Sequence, residues 1–228
     1  MSGLVGIIGA MDCEISELIS NMVEVEKVVL SGSTFYKGRL ANKDVVVVKS
    51  GVGKVFASIA TQTLILYFGA RIIINIGVAG SVSGLKIGDI ALSTGVVQHD
   101  MDTSALGDEK GLISGINKVV LEADGELLSV VESALKDLGF NYQKGIIASG
   151  DIFVADRALK ESIRLNFNAL CAEMEGASIG QTAYVNNIPF VVIRSISDDG
   201  EHQVEFIEFA KSSAKRASLV LIKTLDMI

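Results

Sequence analysis

Between Ala169 and Gly200 the chain carries two short apolar runs, Ala169-Leu170-Cys171-Ala172 and Phe190-Val191-Val192-Ile193, with a helical pattern between them. Ala177, Ile179, Ala183 and Tyr184 supply the inward positions of that pattern, Asn186-Asn187 stops it, and the chain's only proline, Pro189, opens the second run. An apolar run, a helix and a second apolar run form a βαβ unit, which predicts parallel strands covered by helices. Acids follow each run: Glu173 and Glu175 after the first, Asp198 and Asp199 after the second. Ligands of open α/β sheets bind just beyond the carboxyl ends of strands, so these acids mark a candidate site. A plainer reading stays open for Glu173 and Glu175, because negative charge at a helix start suits the dipole.

The same pattern recurs upstream. Leu4-Val5-Gly6-Ile7-Ile8-Gly9 predicts a buried strand, followed by a helix to about Met22 with Glu14 in its first turn. Val23 to Leu30 and Thr34 to Leu40 predict a hairpin, and Asp44 to Lys49 a central strand. Ser50-Gly51-Val52-Gly53-Lys54 then turns into an apolar helix ending near Gly69. This is no P-loop, since Val48 stands where the first glycine is needed and Val55 where a hydroxyl would hold magnesium. Arg71 to Ile76 is a further core strand, and Gly77-Val78-Ala79-Gly80-Ser81 after it lets a ligand approach backbone N–H groups. That run lacks the GxGxxG spacing of a dinucleotide site.

Ile90 to Val97 is another strand. The polar stretch from His99 to about Glu122 predicts a lid or a subunit contact, and its loose acids with one histidine match a metal site poorly. A helix over Gly125–Leu138, a strand over Gly145–Ser149, a helix from Arg157 to Asn166 and a tail helix from Val204 to Met227 complete the chain. Phe153, just past a strand, is either core or an aromatic face for a flat base.

At 228 residues the chain suits one α/β domain over residues 1–228, and its apolar runs are strand-sized, too short to span a membrane. The net charge of −7 argues against nucleic acid as partner. Two distant cysteines, Cys13 and Cys171, give neither a disulfide framework nor a zinc motif, so a reducing cytoplasm is expected. Neither a secretory signal nor a cofactor motif is recognised.

Gathered at predicted strand ends are Glu14, Gly77-Val78-Ala79-Gly80, Phe153, Glu175 and Asp198, with Arg194 inside the last strand. Carboxylates beside an aromatic ring suit a reaction whose transition state gains positive charge, such as cleavage of a glycosidic bond. One acid must protonate the leaving group and another must take a proton from water.

The ordered motifs Gly6-Ile7-Ile8-Gly9-Ala10-Met11-Asp12-Cys13-Glu14, Ser50 to Lys54, Asn75-Ile76-Gly77-Val78-Ala79-Gly80, Gly88-Asp89, Ser149-Gly150-Asp151-Ile152-Phe153, Ala172-Glu173-Met174-Glu175 and Arg194-Ser195-Ile196-Ser197-Asp198 run nearly end to end. In them the sequence resembles the bacterial 5′-methylthioadenosine/S-adenosylhomocysteine nucleosidases of the nucleoside phosphorylase superfamily. The resemblance implies a single-domain three-layer α/β/α fold with a mixed central sheet, a homodimer, and hydrolysis of a small nucleoside without metal or cofactor. Asp198 would protonate adenine N7, Glu14 would activate water with Arg194 nearby, and Glu175 with the Met174 backbone would bind the ribose hydroxyls. Phe153 would stack on adenine and the Val154 backbone read its edge. Met11, Val52 and Phe206 would line the ribose and alkylthio region. Val78, Ala79, Gly80, Glu173 and Ser197 complete the implied substrate-binding set.

Two departures stand out. Val78 occupies a place where the family often carries serine. The long loop offers a partner's pocket Leu106, Leu112 and Ile113 where the family presents an aromatic residue and a proline, leaving the 5′-substituent preference open. Three other readings remain: a phosphorylase on the same fold, a 6-amino-6-deoxyfutalosine hydrolase, and a non-catalytic nucleoside sensor.

Overall fold

The computed structural model describes residues 3–198 and 203–228, the side chains of 203–205 and 207 excepted; Asp199 lies outside the described residues. The strands are β1 (Val5–Gly9), β2 (Val23–Leu30), β3 (Ser33–Leu40), β4 (Lys43–Lys49), β5 (Ile72–Ser81), β6 (Ile90–Gln98), β7 (Leu121–Glu122), β8 (Tyr142–Ser149), β9 (Ala169–Glu173) and β10 (Phe190–Asp198). The helices are α1 (Asp12–Asn21), α2 (Lys54–Leu66), α3 (Gly125–Leu138), α4 (Arg157–Phe167), α5 (Gly176–Val185) and α6 (Gln203–Met227).

Among the described residues the strands form one ten-stranded mixed sheet. Its core strands are buried on both faces, so they read as unbroken apolar runs. Successive residues still point to opposite sides. Val45 and Val47 of β4, Ile72, Ile74 and Ile76 of β5, and Val191 and Ile193 of β10 pack with α1, α3 and α6. Val46, Val48, Ile73 and Val192 pack on the other face with Ala57, Ala60 and Leu64 of α2 and Ala177, Ile179 and Ala183 of α5. Helix, sheet and helix make three layers.

The pairing corrects one expectation. β9 and β10 are not parallel neighbours: β10 runs parallel to β5, whereas β9 meets β5 antiparallel through Gly80–Ala172 and Ser81–Cys171. β5 continues past Ile76 through Ser81, so the small-residue run expected to follow the strand is part of it. Because that run extends β5, it can bond β10 on one side and β9 on the other. The ladders β5–β10–β6–β8–β9–β5 then close a ring, and the ends of these strands meet around one opening.

α1, α3 and α5 bring capping devices of different kinds. Asp124 accepts the Leu127 N–H at 2.9 Å, and α3 ends on Gly139 in the left-handed region, as its sequence predicts. Among the described residues no helix is long and apolar enough to cross a membrane.

Candidate active site

A cavity of about 250 Å³ opens where β5, β9 and β10 end, bordered by α1, α6 and the loop after β8. Glu14, Glu175 and Asp198, from three distant parts of the chain, all border it. Each is almost completely buried.

Glu14 sits in the first turn of α1 because β1 ends at Gly9 and the chain must turn there. Its Oε2 accepts the N–H groups of Ala10 at 2.6 Å and Met11 at 2.9 Å, which caps the helix. Its Oε1 faces the other way and accepts the Val78 N–H of β5 at 3.0 Å. Capping and site formation are therefore both served by one carboxylate. Burial raises its pKa above the usual range, against the lowering influence of Arg194 and these backbone donors.

Arg194, fully buried in β10, does not border the cavity but lies behind it. Its Nη2 donates to Asn75 Oδ1 at 2.6 Å and to Glu173, and stands 3.6 Å from Glu175 Oε2. Nη1 stands 4.0 Å from Glu14 Oε1 and has no hydrogen-bond partner. The guanidinium crosses β5 over its ladder partner Gly77, where a Cβ would overlap Nη1 and reach 2.6 Å from Glu14 Oε1. Glycine is required there by space.

Glu173 and Glu175 flank Met174 yet do different things. The Glu173 carboxylate is occupied by Ser149 Oγ, Arg194 and the N–H groups of Glu175 and Gly176, so it holds β8, β10 and the α5 start together. Glu175 turns across to the β4–α2 connection, where Oε1 accepts the Gly53 N–H at 2.8 Å. Burial first, then the negative Glu173 beside it, pushes its pKa up to about 7. Asp198 ends β10 at a register shift, and Ser197 Oγ donates to its Oδ2 at 2.8 Å.

The remaining wall is apolar. Phe153 is 45% exposed at the opening and meets Phe206 of α6 edge-on, with ring centroids 5.5 Å apart. Met11, Val52, Val78, Ala79, Gly80, Val154, Met174 and Ser197 also border the cavity. So do Ala10, Val82, Ile152 and Ala172, which the sequence reading did not assign to the site. Ala10, Ile152 and Ala172 lie inside the quoted motifs and were within reach. Val82 carried no signal.

Two of the loop residues offered to a partner's pocket, Leu106 and Ile113, differ in exposure. Leu106 is 85% exposed, but Ile113 is 6% exposed and packed into its own chain's core.

Residues 4–226 match the model of the phosphorylase superfamily. The 5′-methylthioadenosine/S-adenosylhomocysteine nucleosidase of Staphylococcus carnosus is 37% identical over 229 residues, covering 99% of this chain and 100% of the relative. The solved S-adenosylhomocysteine nucleosidase of Streptococcus pyogenes, in complex with 5-methylthiotubericidin, matches with a TM-score of 0.95 at 35% identity, over 99% of this chain and 97% of that one. The native futalosine hydrolase of Helicobacter pylori matches with a TM-score of 0.95 at 34% identity, over 99% and 98%. The chain belongs to the phosphorylase superfamily and, within it, to the 5′-methylthioadenosine/S-adenosylhomocysteine nucleosidase family of N-glycosyl hydrolases.

Proposed function

We propose that the chain, as one domain over residues 1–228, hydrolyses the N-glycosidic bond of 5′-methylthioadenosine and S-adenosylhomocysteine, releasing adenine and the thio-substituted ribose. The observation that carries this reading is the meeting of Glu14, Glu175 and Asp198 around one cavity with an aromatic ring at its mouth. Three buried carboxylates are costly to desolvate, and affinity for a neutral nucleoside alone does not need them. A sugar that becomes cationic as the purine leaves does.

In this reading Asp198 donates a proton to adenine N7, which turns the base into a neutral leaving group. Glu14 takes a proton from the attacking water, and burial, by raising its pKa, makes it a stronger base than an exposed carboxylate. Arg194 holds the acids in place from behind, with Nη1 4.0 Å from Glu14 Oε1 and without a hydrogen-bond partner. Glu175 accepts from the ribose hydroxyls, and Phe153 stacks on the base, whose edge the Val154 backbone reads.

A homodimer belongs to the same proposal. Val55, Phe56, Ile59 and Leu66 of α2 are exposed, as is Leu106, and a second copy would cover them. The two cysteines are unpaired, as a reducing cytoplasm would keep them.

Hydrolysis of 6-amino-6-deoxyfutalosine is a second reading, favoured by the futalosine hydrolase of the same fold. The deciding experiment is adenine release from each nucleoside with and without phosphate. Release from methylthioadenosine that ignores phosphate is the expected result. A phosphate-dependent rate with a sugar phosphate as product would make the enzyme a phosphorylase instead.

A further inference from the structure

Three connections distant in the chain, two of which border the cavity through Val52 and through Ile152 and Phe153, are tied together by a closed ring of hydrogen bonds. Lys54, the first residue of α2, donates from Nζ to Asp100 Oδ1 at 2.7 Å and to Gln98 Oε1 at 3.0 Å. Asp100 Oδ2 accepts the Asp151 N–H at 3.0 Å, and Asp151 Oδ1 accepts the Lys54 N–H at 2.8 Å. The three links span sequence separations of 46, 51 and 97 residues and close on themselves.

Two of its members adjoin the site. Gly53, next to Lys54, gives its N–H to Glu175. Ile152 and Phe153 follow Asp151 directly and border the cavity. Asp100 starts the connection that carries Leu106. The Lys54 and Asp100 side chains are only 18% and 19% exposed, so solvent screens the pair weakly. Burial alone would raise the Asp100 pKa, yet the bonds from Lys54 and the Asp151 N–H hold it below the usual value. Gly53 has φ +103, which strains any side chain, and a Cβ there would crowd Asp151 Oδ1 at 3.1 Å.

We infer that Lys54 is a positioning residue for nucleoside binding, acting through Asp100 and Asp151 to fix the Phe153 loop against the Gly53–Glu175 contact. Without the ammonium, Asp100 loses its cationic partner, the ring opens at that link, and the Asp151 segment is held to α2 by the Lys54 N–H alone. The ring at Phe153 and the carboxylate of Glu175 would then no longer keep one separation. This rests on the nucleosidase reading, because it assigns the effect to substrate affinity. A merely structural ion pair would lower melting temperature and leave KM alone.

The test uses the full-length enzyme with Lys54→Met, Lys54→Arg and Asp100→Asn, read by steady-state adenine release and by amide hydrogen exchange over residues 150–155. Lys54→Met should raise KM about tenfold with kcat within about threefold, the scale at which a lost positioning contact acts. Exchange in that segment should quicken. Lys54→Arg should return KM to within about threefold of wild type, since it keeps charge and donors. Asp100→Asn should move KM the same way, and decides the matter if Lys54→Met does not fold. An unchanged KM, or a fall in kcat alone, would overturn the inference. Failure of the wild type to release adenine would sink the nucleosidase reading instead, with the exchange measurement still reporting on the ring.

Discussion

The cavity has two unlike walls. One carries Glu14, Glu175 and Asp198, each no more than 4% exposed, fixed at strand ends and backed by the fully buried Arg194. The other carries Phe153, 45% exposed on a connection, and Phe206 on α6. Charge stabilisation works when donors and acceptors are oriented before the reaction, which favours rigid, dry strand ends. Recognition of a flat base needs area and tolerates adjustment, which a connecting segment supplies. The difference predicts that damage to the first wall strikes turnover and damage to the second strikes affinity.

The largest effects belong to the acids. Asp198→Asn and Glu14→Gln should each lower kcat by about a thousandfold while substrate binding survives, because an amide neither supplies nor takes the proton. Single-turnover kinetics with equilibrium binding would separate the two, and equal activity in wild type and Asp198→Asn would refute the acid assignment. Gly77→Ala comes next. Its methyl group must displace Arg194, so kcat should fall about a hundredfold and the melting temperature with it. A silent Gly77→Ala would mean that the guanidinium does not matter to the acidic wall. Phe153→Ala should raise KM by roughly tenfold to a hundredfold with a smaller change in kcat, the worth of one base–aromatic stack. A loss confined to kcat would erase the contrast between the walls.

The smallest effect is on stability. Glu14 and Glu175 both have raised pKa values, chiefly through burial. An acid raised on folding binds its proton more tightly when folded, so the gain is complete below the unfolded value and is lost as pH rises through the folded one. For Glu175 that window runs from 4.5 to about 7. The melting temperature of the unliganded protein should therefore drop by a few degrees from roughly pH 5 to pH 8. Glu175→Gln should flatten that slope, and a flat wild-type curve would show that these acids are not desolvated.

Much of the architecture could be read before any coordinates. The helix over Gly125–Leu138 has the bounds expected from the sequence, and the structure shows Asp124 capping its start and Gly139 its end. The hairpin and the valine run of β4 were equally plain, since period and punctuation are local. The continuation of β5 through Ser81 was missed because glycine and alanine weaken a strand signal; ladder bonds on both sides hold it extended. The direction of β9 was missed because its partner, β5, lies far away in the chain. Glu173 and Glu175 look alike on paper and both border the cavity, and only their surroundings separate an anchor filled by Ser149, Arg194 and two backbone N–H groups from a carboxylate bonded to the Gly53 N–H.

From its sequence alone this protein determined which residues could do the work and where strands would end, since both depend on residue type and short-range pattern. Tertiary structure decided which acids meet, which one is consumed by Ser149 and Arg194, and that Ile113 turns inward while Leu106 stays out. Those outcomes depend on burial and on partners up to 122 residues apart, as Glu175 and Gly53 are. No local pattern encodes the dielectric around a carboxylate or the identity of the groups that surround it.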